Sequence, residues 1–152
     1  RRRSDIALTT DIICGFCTET EAEFLDTYRV MEEGCFHAAF IFKYSERKNT
    51  IAARKYPDDL PETVKSGRVT RLVELQKAIS LEKNREMIGR TVLVLVEGDA
   101  KKSSAQWMGR TDGNITVVCE KRGSGIRPGD LIPITIIRVS ATTLFGEEIP
   151  VS

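Results

Sequence analysis

The chain changes its periodicity near Gly89, and no single architecture accommodates both halves. Up to that point the pattern reads strand, helix, strand, long helix. From Gly89-Arg90-Thr91-Val92-Leu93-Val94 onward, apolar residues come in short runs punctuated by Gly and Asn. A βαβ unit and a small barrel of short strands bury apolar surface with different repeats. A chain of 152 residues has room for both as separate modules. The pattern therefore predicts an α/β module over 1–86 and an all-β module over 87–152.

In the first module, 8–13 is rich in strand-favouring residues and ends at Cys14-Gly15-Phe16. Thr20 and Glu23 have the spacing of a capping box, and Phe24, Tyr28 and Met31 share one helical face. Gly34 is the expected C-cap. The apolar run 36–42 suits a strand buried on both faces, so the segment reads as one βαβ unit with a parallel pair. Residues 45–59 read as a charged loop. Pro61 then opens a helix, carrying Val64, Leu72, Leu75 and Ile79 on one stripe, which bridges to the second module over 61–86. Two strands and one helix do not cover a parallel sheet. The strand at 36–42 is thus expected to be left partly bare, with missing strands supplied by a larger α/β domain or by another copy.

The second module reads as a five-strand meander closing into a small barrel. Its expected strands lie at 91–97, 106–110, 114–120, 131–139 and 143–149, with Asp112-Gly113 and Pro128-Gly129-Asp130 as turns.

Charge and composition narrow the function. Net charge is +1, so a nucleic-acid surface has to come from local clustering. No apolar run reaches the ~18 residues a membrane helix needs, and the basic start is followed by no signal core, which makes a cytoplasmic setting the expectation. The four cysteines are not required as staples in a chain of this size.

Several constellations could carry chemistry. Cys14 and Cys17 stand in a Cys-x-x-Cys spacing between a strand and a helix start, where a thiol can be acidified; the alternative is two ordinary cysteines at a strand end. The turn from Gly15 to Thr20 could hold an anion at the helix N-terminus. His37, the single histidine, lies in an apolar strand and reads as a core residue. Tyr44-Ser45-Glu46-Arg47 follows the second strand, where functional groups gather in parallel sheets, and Arg47 could hold a carboxylate bidentately. In the second module, Lys101, Lys102, Arg110, Lys121, Arg122 and Arg127 fall on loops or strand ends, with Trp107 and Asn114 near them. Basic loops and an aromatic suit single-stranded RNA, although Glu97, Asp99, Asp112 and Glu120 interleave.

Four motifs in order resemble one family. Thr10-Asp11-Ile12-Ile13-Cys14-Gly15-Phe16-Cys17-Thr18-Glu19-Thr20 resembles T-D-I-I-x-G-F-P-x-E-T. Phe42-Lys43-Tyr44-Ser45-Glu46-Arg47 with Thr50 and Ala52 resembles F-x-Y-S-x-R-x-G-T-x-A. Arg71-Leu72, Leu75-Gln76 and Ile79-Ser80 resemble R-L-x-x-L-Q-x-x-I-S. Val94-Leu95-Val96-Glu97-Gly98, then Lys101-Lys102 and Met108-Gly109-Arg110-Thr111 with Asn114, resemble V-L-V-E-G-x-x-K-K and M-G-R-T-x-x-N. Together they resemble the C-terminal part of a radical-SAM tRNA methylthiotransferase of the MiaB type. Cys17-Thr18 and Lys48-Asn49 depart from the family, which has Pro-Gly at both places.

The resemblance implies the last strands and helices of a partial (β/α) barrel, followed by a TRAM domain, a small OB-like RNA-binding barrel. It implies methylthiolation of carbon 2 of an isopentenyl-modified adenosine beside the anticodon, with S-adenosylmethionine and two iron–sulfur clusters. Asp11, Gly15, Glu19, Thr20, Tyr44, Ser45 and Arg47 would line part of the cofactor pocket. Lys101, Lys102, Trp107, Arg110, Asn114, Lys121 and Arg122 would grip a tRNA anticodon stem-loop. None of the four cysteines matches the family's cluster ligands, so this piece alone is expected to be inactive and to need the preceding portion of the polypeptide. Two other readings stand beside it: a stand-alone RNA-binding module with an α/β adaptor, and a thiol-redox protein. The bare edge predicts self-association.

Overall fold

In the computed structural model, residues 6–122 and 125–149 are described, and they form two compact units, Leu8–Ile79 and a second that begins at Ser80. The first unit contains β1 (Thr9–Cys14), α1 (Glu21–Gly34), β2 (Ala38–Lys43), α2 (Ile51–Lys55) and most of α3 (Glu62–Arg85). The second contains β3 (Thr91–Ala100), β4 (Ser103–Arg110), β5 (Thr116–Glu120), β6 (Leu131–Val139) and β7 (Thr143–Glu148).

β1 and β2 pair in parallel, Thr9 opposite Ala38 through Cys14 opposite Lys43, with α1 as the crossover. The capping box at its start is complete. The Glu23 N–H donates to Thr20 Oγ1 at 3.2 Å, and the Thr20 N–H donates to Glu23 Oε2 at 2.7 Å. The C-terminus departs from expectation. Cys35, at φ +44°, takes the left-handed cap position, and Gly34 is the last helical residue. A Cβ on Gly34 would lie 2.8 Å from the Phe36 ring, so the glycine there leaves room for packing and does not supply the turn.

Phe24, Met31, Cys14 and Leu72 are fully buried, and Ile12, Ala39 and Ile41 pack against them, so α1 and α3 cover one face of the pair. The strand at 36–42 has the composition of one buried on both faces, but it is left partly bare, as two strands and one helix predict. On the other face Ile13, Phe40 and Phe42 are 62%, 57% and 52% exposed, with Asp11 in the same alternating row. The apolar run cannot distinguish a face that is covered from one that only asks for cover.

Two further expectations are corrected. The stretch 45–59 is not all loop: Thr50 caps the short helix α2 by accepting from the Ala53 N–H at 3.2 Å. The buried stripe of α3 is only partly the apolar one, with Leu72 in the core and Leu75 packed against it. Val64 is 37% exposed, while Lys65, Arg68, Leu72, Gln76, Ser80 and Asn84 are buried. That stripe still follows the helical repeat, but it is mostly polar, and partners make it affordable. Gln76 Nε2 donates to the Phe36 carbonyl at 2.9 Å, and Asn84 Nδ2 to the Ser140 carbonyl at 2.8 Å.

The second unit is a closed five-stranded barrel in the order β3-β4-β5-β7-β6. It is not a meander. β6 returns to pair antiparallel with β3, and β7 folds back against β6 and lies parallel to β5. Closure leaves no free sheet edge, and a sequential up-and-down order of five strands cannot close with every pair antiparallel. Val94, Val96, Val117, Cys119, Ile132, Ile134, Ile136 and Leu144 fill the interior. Gly109 and Gly146 lie where the wall tightens: a Cβ on Gly109 would sit 2.2 Å from the Leu95 carbonyl oxygen, and one on Gly146 2.3 Å from Ile134 Cγ2.

Candidate functional site

The C-terminal ends of β1 and β2 lie side by side, since the Tyr44 N–H donates to the Cys14 carbonyl at 2.9 Å. This brings the turn Gly15–Thr20 next to Tyr44, which Ser45 and Arg47 follow in the chain. Three of the expected residues are already occupied. The Gly15 N–H donates to Glu19 Oε2 at 2.8 Å, and Arg68 Nη1 donates to the same oxygen at 2.6 Å. Arg68 is 5% exposed and Glu19's side chain 13%, so this is a buried, charge-assisted bridge. Gly15, at φ +77°, is held against Lys65, whose Cγ lies 2.7 Å from where a Cβ would be. Lys65 itself is buried and paired with Asp58. Thr20 caps α1. Ser45, Arg47 and Asp11 are exposed, Asp11 on the bare face of the sheet.

Sequence reasoning missed Lys65, Arg68 and Asp58. The available signal was the spacing of two cations with Leu72 and Gln76, which puts them on the stripe that faces the strand ends.

Phe16 stands between two tyrosines, 4.9 Å from the Tyr44 ring centroid and 6.3 Å from that of Tyr56, edge-on to both. The two Pro-Gly departures are also explained. Thr18 and Asn49 stand at φ +67° and +69°, left-handed positions that glycine occupies without strain. Asn tolerates this region, and Thr18 is anchored there by its N–H donating to Asp59 Oδ1 at 2.8 Å.

Cys14 and Cys17 are buried and free. Burial, reinforced by the Glu19 carboxylate, pushes the Cys14 thiol above its ordinary value, the reverse of an acidified nucleophile. Burial with Glu148 and Glu120 raises Cys119 to about 11. Among the described residues no group of three or more His, Cys, Asp and Glu side chains is placed to hold a metal ion. His37 is half-buried at the start of β2, and its Nδ1 accepts the Leu8 N–H at 3.2 Å.

In the barrel, Lys101 and Lys102 form the β3–β4 turn and are exposed. Trp107 packs against the core with one side, and Lys121 Nζ stands 3.9 Å above its ring centroid while also pairing with Asp99 at 2.7 Å. Arg122 pairs with Glu147 at 2.9 Å. Arg110 pairs with Glu97 at 3.1 Å and donates to Asn114 Oδ1 at 3.0 Å. The seven residues do not make one patch. β4 spans eight residues, which at about 3.3 Å each separates Lys102 from Arg110 by roughly 25 Å. Lys101, Lys102, Lys121 and Arg122 gather at one end, and Arg110 with Asn114 at the other. Three of the five cations pair with an acid, whereas Lys101 and Lys102 meet none among the described residues.

Residues 85–149 match the TRAM domain family. Nearly the whole chain is similar to proteins named tRNA-2-methylthio-N(6)-dimethylallyladenosine synthase. The one from Porphyromonas gingivalis is 46% identical over 143 residues, 94% of this chain and 30% of that protein. The one from Chlorobium phaeobacteroides is 46% identical over 93% of this chain and 32% of its own length. The one from Chlorobaculum tepidum is 43% identical over 95% and 32%. The chain thus spans about a third of the length of the curated relatives it matches, and the barrel strands fall within the residues that match the TRAM domain family.

Proposed function

We propose that this chain, kin to the tRNA-2-methylthio-N(6)-dimethylallyladenosine synthases, is the C-terminal part of a tRNA-modifying enzyme of that activity. The observation that carries the reading is similarity above 40% along almost the full chain, through both units, to three such synthases. The reaction is methylthiolation of carbon 2 of an isopentenyl-adenosine next to the anticodon, in a cytoplasmic enzyme whose substrate is a tRNA anticodon stem-loop.

The bare face of β1 and β2 supports the partial-barrel reading for residues 1–86. A parallel pair with helices on one side and Ile13, Phe40 and Phe42 exposed on the other is a sheet whose completion lies elsewhere. The preceding portion of the same polypeptide would supply it; in its absence the same face would drive self-association, visible as early elution in size exclusion.

The cofactors of this reading divide on their fit. The iron–sulfur clusters do not fit this chain's residues: Cys14, Cys17 and Cys119 are buried, Cys35 is exposed, and among the described residues no three or more His, Cys, Asp or Glu side chains are placed to hold a metal ion. Cluster ligands would therefore come from the preceding portion, and this piece alone would be inactive. S-adenosylmethionine fits better, because Asp11, Ser45 and Arg47 are exposed on the bare face and at the strand ends. Bound there, it would carry the radical chemistry of the parent. Arg47 would hold its carboxylate and Ser45 a polar edge, while Tyr44 would pack beside them. Gly15, Glu19 and Thr20 would act indirectly, by fixing the turn through the Arg68 bridge and the α1 cap.

The barrel would hold RNA chiefly through Lys101 and Lys102, with Trp107, Lys121 and Arg122 at the same end and Arg110 with Asn114 as a separate contact. The test is binding of the chain to an anticodon stem-loop RNA across a salt series. Binding should weaken steeply with salt and be lost in Lys101→Ala/Lys102→Ala/Arg110→Ala. Absence of binding at low salt refutes the RNA-gripping barrel.

A further inference from the structure

The densest unpaired positive charge among the described residues is on the first unit, outside the barrel. Between Glu46 and Lys55 the chain carries Arg47, Lys48, Arg54 and Lys55 against one acid, Glu46, and all four cations are exposed. The acids that follow are engaged elsewhere. Asp58 pairs with the buried Lys65, Asp59 accepts the Thr18 N–H, and Glu62 pairs with Lys43. Charge in this unit is also segregated, since α1 carries Glu21, Glu23, Asp26, Glu32 and Glu33 against Arg29 alone. In the barrel, by contrast, Arg110, Lys121 and Arg122 each meet an acid.

The local fold gathers these cations. The Thr50 hydroxyl donates to the Arg47 carbonyl at 2.9 Å and accepts the Ala53 N–H, folding the 47–50 turn onto the start of α2. Arg54 and Lys55 occupy the last turn of that helix, and Tyr56 follows as its cap, 46% exposed. Phe16, 40% exposed, lies 6.3 Å from the Tyr56 ring. Unpaired cations flanking exposed aromatic rings are the composition of a platform for unstacked, single-stranded nucleic acid. Folded proteins do not need four unpaired cations within nine residues, and their mutual repulsion works against them.

We propose that α2 and the turn before it form a second RNA-binding surface, with Lys48, Arg54 and Lys55 holding backbone phosphates and Tyr56 presenting its ring to an unstacked base. This rests on the tRNA reading above and adds to the barrel a contact that the sequence did not reveal. Arg47 is left out of the test because it is assigned to the cofactor pocket.

The experiment uses the full chain and a labelled anticodon stem-loop RNA over a salt series. Lys48→Gln/Arg54→Gln/Lys55→Gln should weaken binding at least about tenfold near 0.1 M salt. It should also lower the slope of log K on log salt by about 2, the share of three single-strand phosphates. Tyr56→Leu should weaken binding about fivefold or more and leave the slope unchanged. The charge-preserving Lys48→Arg/Arg54→Lys/Lys55→Arg should bind like wild type; loss in that variant would mean a disturbed helix and overturn the phosphate assignment. If the triple Gln variant binds like wild type while Lys101→Gln/Lys102→Gln loses binding, the second surface is refuted and the barrel reading stands. If the unaltered chain binds no RNA, both fall.

Discussion

The barrel and the α/β unit secure their cores by opposite means. The barrel closes its hydrogen-bond ring, so every strand has two neighbours and the interior is packed with aliphatic side chains. The α/β unit has two strands, one covered face and one bare face, and beneath α3 it buries charge: Lys65 against Asp58 and Arg68 against Glu19. A closed sheet satisfies itself with apolar residues alone. An open one has to be finished, and at its strand ends this one is braced with ion pairs whose value depends on both partners being present.

The largest test of that contrast is Arg68→Ala. It strands the Glu19 carboxylate in a buried site and should cost about 3–5 kcal/mol in the α/β unit, measured by denaturant unfolding followed by helical circular dichroism. Arg68→Met with Glu19→Gln should recover most of the loss; no recovery would mean the bridge is not what holds the turn. Next comes Ile136→Ala, which should cost the barrel about 2–5 kcal/mol. The single tryptophan, Trp107, lies in the barrel, so its fluorescence follows that unit, and the helical signal should be unmoved.

A smaller effect is expected at the start of α1, where Thr20→Ala should cost about 1 kcal/mol. It should also change the acid limb. The Thr20 N–H, then its hydroxyl, hold the Glu23 carboxyl below its ordinary range. A folded value below the unfolded one means stability present above about pH 4.3 and lost as pH falls through the folded value. Glu23→Gln should therefore flatten the pH dependence of α/β-unit stability below about pH 4.3. The smallest effect is Phe40→Ser on the bare face, within about 0.5 kcal/mol for the chain by itself. If it costs as much as Ile136→Ala, that face is covered and the contrast collapses.

Local chemistry made much of this legible. The capping box at Thr20 and Glu23, the parallel βαβ and the strand content of the second half all follow from short-range pattern, because each is decided within a few residues. What was not legible depends on partners far along the chain. The polar stripe of α3 is buried because Glu19 and the Phe36 carbonyl, 49 and 40 residues away, and Asp58, seven residues away in the preceding loop, come to meet it. The parallel β5–β7 pair depends on how β6 returns, and periodicity is silent on that. At the candidate site the sequence places Lys101 and Lys102 on a loop, where the structure has an exposed turn, but composition could not show that Arg110, Lys121 and Arg122 meet acids. The basic turn and helix at 47–55 have the sequence pattern of a loop, since a five-residue helix leaves almost no periodic trace.

Gly109 and Gly146 carry a consequence for what the barrel can be. With two side chains deleted so that the wall can draw in upon the Val94 and Ile134 methyls, the lumen is a plug, not a vessel. A barrel of this kind cannot swallow a nucleobase the way a wider one encloses a small ligand. Anything it reads, it reads as a relief map, from the rim and the outer wall, and its vocabulary can be rewritten loop by loop without touching the masonry inside.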